Sequence, residues 1–352
     1  MRIGGFVSSG LFARGVASSA AFALAFALAP ATVRSEDTPS PTGAPLHPTE
    51  PALTTVVSFD PTLGQLPESI AEDPAGNLYV SIAGTVVKVT PERVVSTLVA
   101  LPVPAGVFAT GVKLGQDGFL YVASAAFDPS LDASSVWRVS LTTGDAEEVA
   151  ALDPAGFPND LAFDDEGNIY VTDPFLAQIW RVDVSGQATV WLSDPAFEGN
   201  PAEPALGAPF GVDGIAFDRG DRHLYFGNLD FGRILRVRVR RDGSPGALQV
   251  VAEDERLEGA DGIAFDRAGT LYVAVNSQDR IATVDRRGRV DVVAEGGLLD
   301  GPSAFAFGVR RSERHTLFIT NFAISRAMGL QTGTPRPGIL ALEVPRPGLP
   351  VP

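Results

Sequence analysis

Residues 261–273 read DGIAFDRAGTLYV, and this stretch decides the fold. A short apolar run is followed by a turn around Gly269 and by a second run that contains Leu, Tyr and Val. Two further runs, 280–285 (RIATVD) and 290–295 (VDVVAE), follow in the same unit. Runs of β-branched and aromatic residues between Asp/Gly turns are typical of strands, so this part of the chain is predicted to form four strands.

Similar stretches recur along the chain and define a six-fold repeat. Successive copies begin 42 to 54 residues apart, which is the range of β-propeller blades. Six copies of four strands predict an all-β fold, a six-bladed β-propeller with antiparallel blades. The N-terminal run 54–59 is expected to close the last blade as its fourth strand, beside the run 338–344. The copies begin at Glu68, Thr110, Asn159, Asp213, Asp261 and Ser303.

The composition excludes several classes of protein. The 352 residues include 42 acidic and 27 basic side chains, and the formal net charge of −15 disfavours binding to nucleic acid or anionic membranes. The chain has no cysteine, which excludes disulfides, thiolate metal sites and cysteine nucleophiles. Its three histidines make a histidine-ligated zinc ion a poor candidate. A small-molecule substrate is therefore the expected partner.

The N-terminal sequence is expected to direct export. Residues 1–31 combine two arginines, an apolar run and a small-residue cleavage sequence, as a secretory signal peptide does. A membrane anchor is the alternative, but the apolar run is short for a bilayer and is interrupted by Pro30. A Pro/Thr/Ser-rich linker follows at 32–52, and the propeller domain occupies 53–352. These features predict a secreted or periplasmic protein with no integral membrane segment after cleavage.

The repeat predicts a polar ring at one mouth of the propeller channel. Because the first strand of every blade lines the axis in the same direction, the first residues of the six copies are expected to meet there. Three carboxylates in so small a space would repel one another unless a cation lay between them. Oxygen ligands from Glu, Asn and Asp favour Ca2+, with Mg2+ as the smaller alternative. The predicted ligands are Glu68, Asn159, Asp213 and Asp261, unless the Asp–Gly pairs are only turn signals.

A second set of polar residues is expected beside this ring, because the second strand of each blade runs back to the same mouth. Three long insertions, 124–135, 194–211 and 323–337, fall on that face and mark it as the binding face. Apolar side chains in these insertions, such as Phe127 and Phe210, predict a partly apolar rim. The polar residues at the ends of the second strands are Ser124, Asp173, Asn228, Asn276 and Asn321.

The first residues of four copies resemble a known family of hydrolases. Glu68 in PES, Asn159 in PND, Asp213 in VDG and Asp261 in ADG each precede an apolar strand and a Gly turn. In this they are similar to the gluconolactonase, senescence-marker-protein and luciferin-regenerating-enzyme family, which has diisopropylfluorophosphatase as a relative in the same fold. The resemblance covers about residues 54 to 345. It implies a divalent ion at the channel mouth, Asp261 as both ligand and general base or nucleophile, and metal-dependent hydrolysis of a lactone or ester.

Two residues depart from the pattern of that family. Asp213 stands where many members have Asn, which adds a negative charge at the ion. Phe157 stands where members that hydrolyse sugar lactones often have an Arg for the substrate, and this favours a less polar lactone or ester. The other residues expected to orient ligands or substrate are Thr110, Asp160, Asp173, Asn228, Asn276, Ser303 and Asn321.

Two other functions stay open from the sequence. A propeller can bind a ligand without catalysis, and calcium would then be structural. A strictosidine-synthase-like enzyme would share the six-bladed architecture, although its catalytic Glu is not identifiable in this chain. The sequence contains no nucleophile elbow, zinc-protease motif, P-loop or dinucleotide fingerprint. Cation-assisted hydrolysis is therefore the favoured interpretation.

Overall fold

The computed structural model describes residues 53–204, 208–220 and 222–349. The predicted signal peptide at 1–31 and the predicted linker at 32–52 lie outside these described residues. Within the described ranges, no helix has the length and apolar character needed to cross a lipid bilayer.

The strands of the described residues form six separate antiparallel sheets of four strands each, which are the blades of the predicted propeller. In chain order, the strand that starts the described chain and the first two blades are β1 (Leu53–Ser58), β2 (Pro67–Glu72), β3 (Leu78–Ile82), β4 (Thr85–Val89), β5 (Val95–Ala100), β6 (Val107–Leu114), β7 (Leu120–Ala126), β8 (Ser135–Val139) and β9 (Ala146–Ala151). The third and fourth blades are β10 (Leu161–Phe163), β11 (Ile169–Asp173), β12 (Gln178–Val182), β13 (Ala188–Ser193), β14 (Val212–Phe217), β15 (His223–Asn228), β16 (Arg233–Val239) and β17 (Pro245–Glu253). The last two blades contain β18 (Ala260–Phe265), β19 (Leu271–Val275), β20 (Arg280–Val284), β21 (Val290–Glu295), β22 (Pro302–Phe307), β23 (Thr316–Asn321) and β24 (Gly338–Glu343).

The first strand of the described chain closes the ring of blades, as predicted. β1 pairs antiparallel with β24, with Leu53 opposite Leu342 and Ser58 opposite Gly338. The last sheet therefore has the order β1-β24-β23-β22. Because its outer strand precedes the first blade in the chain, opening the ring would break backbone hydrogen bonds as well as side-chain packing.

A repeated Tyr–Phe contact joins neighbouring blades. In four blades, the tyrosine of the second strand packs edge-on against the phenylalanine that ends the first strand of the next blade. Such pairs contribute roughly 0.5–1.5 kcal/mol each beyond the area they bury. Packing between blades thus explains why the aromatic residues recur in the sequence repeat. The pairs are Tyr121–Phe163, Tyr170–Phe217, Tyr225–Phe265 and Tyr272–Phe307, with ring centroids 5.0, 5.6, 4.9 and 5.6 Å apart.

The helical segments of the described chain are short and lie in connections on one face of the propeller, where the first strand of each blade begins. We call this the ring face. Four of the 3₁₀ turns are capped at their N-terminus by an Asp side chain that accepts a backbone hydrogen bond. The segments are the 3₁₀ turns Pro61–Leu63, Pro129–Leu131, Pro195–Phe197, Glu255–Leu257 and Asn276–Gln278, and the single-turn helix α1 (Ile324–Ala327).

The channel is apolar along most of its described length. A cavity of about 180 Å³ is lined by the first strands of all six blades. Five copies end the first strand with Leu or Phe, whereas the first copy ends it with Glu72. Glu72 Oε2 accepts a hydrogen bond from the Val309 amide at 3.0 Å, and burial raises the pKa of Glu72 to about 7. This end of the channel, opposite the ring face, therefore contains a carboxyl group that is mostly protonated below that pH.

Candidate active site

The first residues of the repeats meet where the blades approach each other at the ring face. Ser303 Oγ, in the last blade, donates a hydrogen bond to the main-chain oxygen of Glu68 at 2.5 Å. A Cβ atom at Gly214 would lie 2.3 Å from the main-chain oxygen of Asp261 in the next blade, so only glycine fits after Asp213. Both Asp–Gly pairs lie inside strands, β14 and β18. The pairs are thus not turns between strands, and each lies at a register shift within its strand.

Three carboxyl groups of this ring interact electrostatically. Burial is the main cause that raises the pKa of Glu68, Asp213 and Asp261 well above the usual range. The negative charge of Asp261 raises the pKa of Glu68 and of Asp213 further. The side chains of Asp213 and Asp261 are almost inaccessible to water, at 1% and 6% exposure, so their charges are poorly screened. Without a cation, these carboxyl groups therefore hold their protons to a higher pH than exposed carboxyl groups do.

Two amide side chains contact the carboxyl groups directly. The Asn159 side-chain nitrogen donates to Asp213 Oδ1, and Asn276 Nδ2 donates to Asp261 Oδ2 at 3.0 Å. Of the described residues at this mouth, Glu68 and Asn276 each have a buried side-chain oxygen, Oε2 and Oδ1, without a hydrogen-bond partner. A buried oxygen without a donor costs roughly 1–3 kcal/mol, which binding to a cation would recover.

The side-chain oxygen atoms at this mouth are of the type that hard divalent cations prefer as ligands. The described residues contain no group of three or more His, Asp or Glu side chains that could hold a metal ion by themselves. An ion here would therefore need amide oxygens and water in addition to the carboxylates, and calcium commonly takes such mixed oxygen ligands. The two unpartnered buried oxygens and the mutual repulsion of the carboxyl groups both favour a cation. The assignment of Glu68, Asn159, Asp213 and Asp261 as its ligands stays a prediction.

Lys113 is a charged residue beside the ring whose importance the sequence analysis missed. Its Nζ lies 3.3 Å from Asp160 Oδ1, and its positive charge opposes the rise in the pKa of Glu68. Comparison of the six copies with one another would have revealed it, because the other five have alanine at this position of the first strand. Those alanines are Ala71, Ala162, Ala216, Ala264 and Ala306.

Replacing Lys113 is expected to destabilise the protein. In Lys113→Met, the Asp160 side chain, which is 12% exposed, loses its cation. We expect a loss of about 1–3 kcal/mol in the free energy of unfolding, measured by urea denaturation. The control is Lys88→Met on β4, which removes the other lysine and should change stability by less than about 0.5 kcal/mol. Equal losses in the two variants would contradict a special role for Lys113.

Most of the other predicted residues hold nearby main chain in place. Asp173 is an example, since its Oδ1 accepts a hydrogen bond from the Phe157 amide at 2.9 Å. Asn276 differs, because its side chain contacts Asp261. Asp160 does both, since its carboxylate accepts hydrogen bonds from the Leu161 and Ile215 amides and its charge raises the pKa of Asp261. The residues whose side chains bond to main-chain atoms are Thr110, Ser124, Asp160, Asp173, Asn228, Ser303 and Asn321.

Phe157 lies in an aromatic environment next to the ring of carboxyl groups. Its side chain is 6% exposed, and its ring lies 4.9 Å from that of Phe127, 5.1 Å from that of Phe175 and 5.5 Å from that of Phe210, between centroids. The surroundings of Phe157 are thus apolar.

Solved structures confirm the architecture. A putative gluconolactonase is 14% identical to this chain, covers 86% of it over 96% of its own length, and superposes with a TM-score of 0.62. A gluconolactonase from Xanthomonas campestris is 17% identical, with coverage of 83% and 89% and a TM-score of 0.58. Regucalcin from Agrobacterium tumefaciens, a calcium-binding protein, is 18% identical, with coverage of 83% and 96% and a TM-score of 0.61. At such low identity these likenesses show the fold alone.

Sequence comparison gives a family match over part of the chain. No curated protein sequence matches it. Residues 206–323 match the family described as the SMP-30/Gluconolactonase/LRE-like region. This stretch includes Asp213 and Asp261, whereas Glu68 and Asn159 lie outside it. The predicted resemblance is therefore confirmed over residues 206–323: the chain is a six-bladed propeller with a region there that is similar to the SMP-30/Gluconolactonase/LRE-like family.

Proposed function

We propose that this protein hydrolyses a lactone or ester with the help of a divalent cation, most favourably Ca2+, bound at the ring face. The observation that carries the proposal is the buried ring of carboxyl groups, in which Asp261 raises the pKa of Glu68 and Asp213 and two buried oxygens have no partner among the described residues. The family region and the names of the structural relatives support the hydrolase class, and the calcium-binding relative supports the choice of ion.

The residues of the carboxyl ring would have two roles, which are to bind the cation and to transfer a proton. Glu68, Asn159, Asp213 and Asp261 would hold the cation. When bound, a divalent cation supplies Lewis-acid polarisation of the substrate carbonyl and stabilises the negative charge that develops on its oxygen. The ion pair of Lys113 and Asp160 would lie beside the carboxyl groups, and its charges would influence how strongly they bind protons and the cation.

Asp261 would act as the general base. Its Oδ2 accepts a hydrogen bond from Asn276 Nδ2, which fixes the orientation of the carboxyl group for proton transfer. Asp261 would take the proton of the attacking water as the water oxygen adds to the carbonyl carbon. The proton would then pass to the alkoxide that leaves when the carbon–oxygen bond of the lactone or ester breaks.

The expected substrate is less polar than a sugar lactone. Phe157 and its aromatic neighbours offer no polar side chain for sugar hydroxyl groups on their side of the mouth. The N-terminal sequence supports a secreted or periplasmic location for this activity.

A panel of lactones and esters of graded polarity tests the proposed function. We expect hydrolysis of apolar lactones when Ca2+ is present, slower hydrolysis of glucono-δ-lactone, and loss of both activities in the presence of a chelator. Binding of panel members without any turnover would instead indicate the non-catalytic ligand-binding propeller. Turnover that a chelator leaves unchanged would contradict the role of the cation.

A further inference from the structure

Five phenylalanines form a continuous aromatic surface at the ring face, which we call the aromatic wall. They come from three neighbouring blades, and each ring lies within 6.0 Å of another, between centroids. The angles between neighbouring rings range from 38° to 78°, so the rings tilt against one another as aromatic pairs prefer. The wall consists of Phe108, Phe127, Phe157, Phe175 and Phe210.

One end of the aromatic wall is attached to the ring of predicted ligands. Phe157 lies two residues before Asn159, and Phe210 lies three residues before Asp213. Both phenylalanines are buried, each at 6% exposure. The amide of Phe157 is held by Asp173 and that of Phe210 by Asp230, at 2.7 Å. The inner end of the wall is thus fixed next to the place where the reacting carbonyl would lie.

The other end of the aromatic wall is open to solvent. Phe127 is 61% exposed although three rings of the wall surround it, and its neighbour Phe108 is 37% exposed. In the described part of the chain, these are the two phenylalanines with large exposure, and both belong to the wall. Exposed apolar surface of this kind is unfavourable for folding, and when it is contiguous it commonly marks a binding site.

We propose that the aromatic wall binds an aryl group of the substrate, so that the substrates are aryl-bearing lactones or esters. This inference rests on the proposed function, because it places the aryl group beside the carboxyl groups that would hydrolyse the ester bond. A flat ring stacked on Phe127 gains apolar contact and edge-to-face contact with its neighbours, whereas an alkyl group gains apolar contact alone.

The first test compares an aryl lactone with an alkyl lactone in variants of Phe127, which is exposed and can be truncated without disturbing the core. For Phe127→Ala we expect the KM for dihydrocoumarin to rise about 10-fold and the KM for δ-valerolactone to change by less than about twofold. Phe127→Trp should keep the KM for dihydrocoumarin near that of the unmodified protein. The matched control is Leu330→Ala, which truncates an apolar side chain that is 50% exposed in another connection of the same face and should change neither KM.

Phe127→Leu distinguishes aryl recognition from general apolar contact. Leucine retains apolar area without a π-system, so we expect the KM for dihydrocoumarin to stay raised. Full recovery with leucine, or an equal change for both lactones in Phe127→Ala, would overturn the proposal.

A binding measurement separates this proposal from the proposed function. Saturation-transfer NMR with 2-phenylethanol, which cannot be hydrolysed, reports the aryl site without any turnover. We expect a signal in the unmodified protein and in Asp261→Asn, and its loss in Phe127→Ala. If no substrate is hydrolysed but this pattern is observed, the hydrolase proposal fails and the aryl site stands. An equal signal in the unmodified protein and in Phe127→Ala would overturn the aryl site.

Discussion

Asp261→Asn is expected to lower kcat for lactone hydrolysis by about 10²–10⁴-fold, the range that a positioned general base contributes. The substitution keeps the shape of the side chain, and one side-chain atom can still bond to Asn276. It removes the basic oxygen and one negative charge from the ring. Initial rates at saturating lactone and Ca2+ measure the effect, and a kcat that does not change would remove Asp261 from the chemistry.

The matched control for Asp261→Asn is Asp266→Asn, which makes the same change five residues further along the chain. Asp266 is also buried, at 1% exposure against 6% for Asp261, but it holds the turn at the opposite end of the channel, where its Oδ1 accepts hydrogen bonds from the amides of Ala268 and Thr270. This variant should lose some stability and keep kcat within about twofold. Circular dichroism and thermal unfolding of both variants separate loss of base function from loss of fold.

Removal of the cation is expected to lower both activity and stability. An ion that binds only the folded state at 100 times its Kd stabilises by about 2.7 kcal/mol, so chelation should lower Tm by several degrees. Re-addition of Ca2+ should restore Tm and activity together. Thermal unfolding with and without a chelator measures the difference, and an unchanged Tm and rate would contradict a bound ion.

The pH dependence of this stabilisation has a definite sign. Burial raises the pKa of Glu68, Asp213 and Asp261 in the folded protein, so the folded state binds more protons than the unfolded state above the usual carboxyl pKa range. The stability of the cation-free protein should therefore fall as the pH rises through and above that range. Ca2+ binds the deprotonated carboxylates, so its stabilising effect should grow over the same range. A difference in Tm that is independent of pH between about 5 and 8 would contradict this coupling.

The propeller could be predicted from the sequence because its repeat is local. Each copy places an apolar run, a polar turn and a second apolar run, which reads Leu-Tyr-Val in three copies, in the same order, and the structure shows β18 and β19 at those positions in the fifth copy. The closing role of β1 followed from the strand missing in the last copy, and its pairing with β24 confirms it. The need for glycine at position 214 could not be predicted from one copy alone. It arises because the main chain of the next blade, at Asp261, leaves no room for a Cβ atom.

The candidate site was harder to predict because it depends on contacts between distant parts of the chain. The ring positions follow from blade symmetry, and the contact of Asn159 with Asp213 agrees with that symmetry. The partner of each strand-end residue depends on how the long connections fold, and Asn228 and Asn321 hold those connections through main-chain oxygens. The pairing of Lys113 with Asp160 joins two blades, and a search for ligand-type residues alone does not reveal it.

Calorimetric titration of Ca2+ into chelator-stripped protein tests the central claim most directly. The account predicts one site per chain, with binding that is weakened by at least about 10-fold in each of Glu68→Gln, Asp213→Ala and Asp261→Ala, and that is unchanged in Asp266→Asn. Absence of binding, or a site that these three substitutions leave intact, would contradict the claim that the ring of the propeller holds a cation.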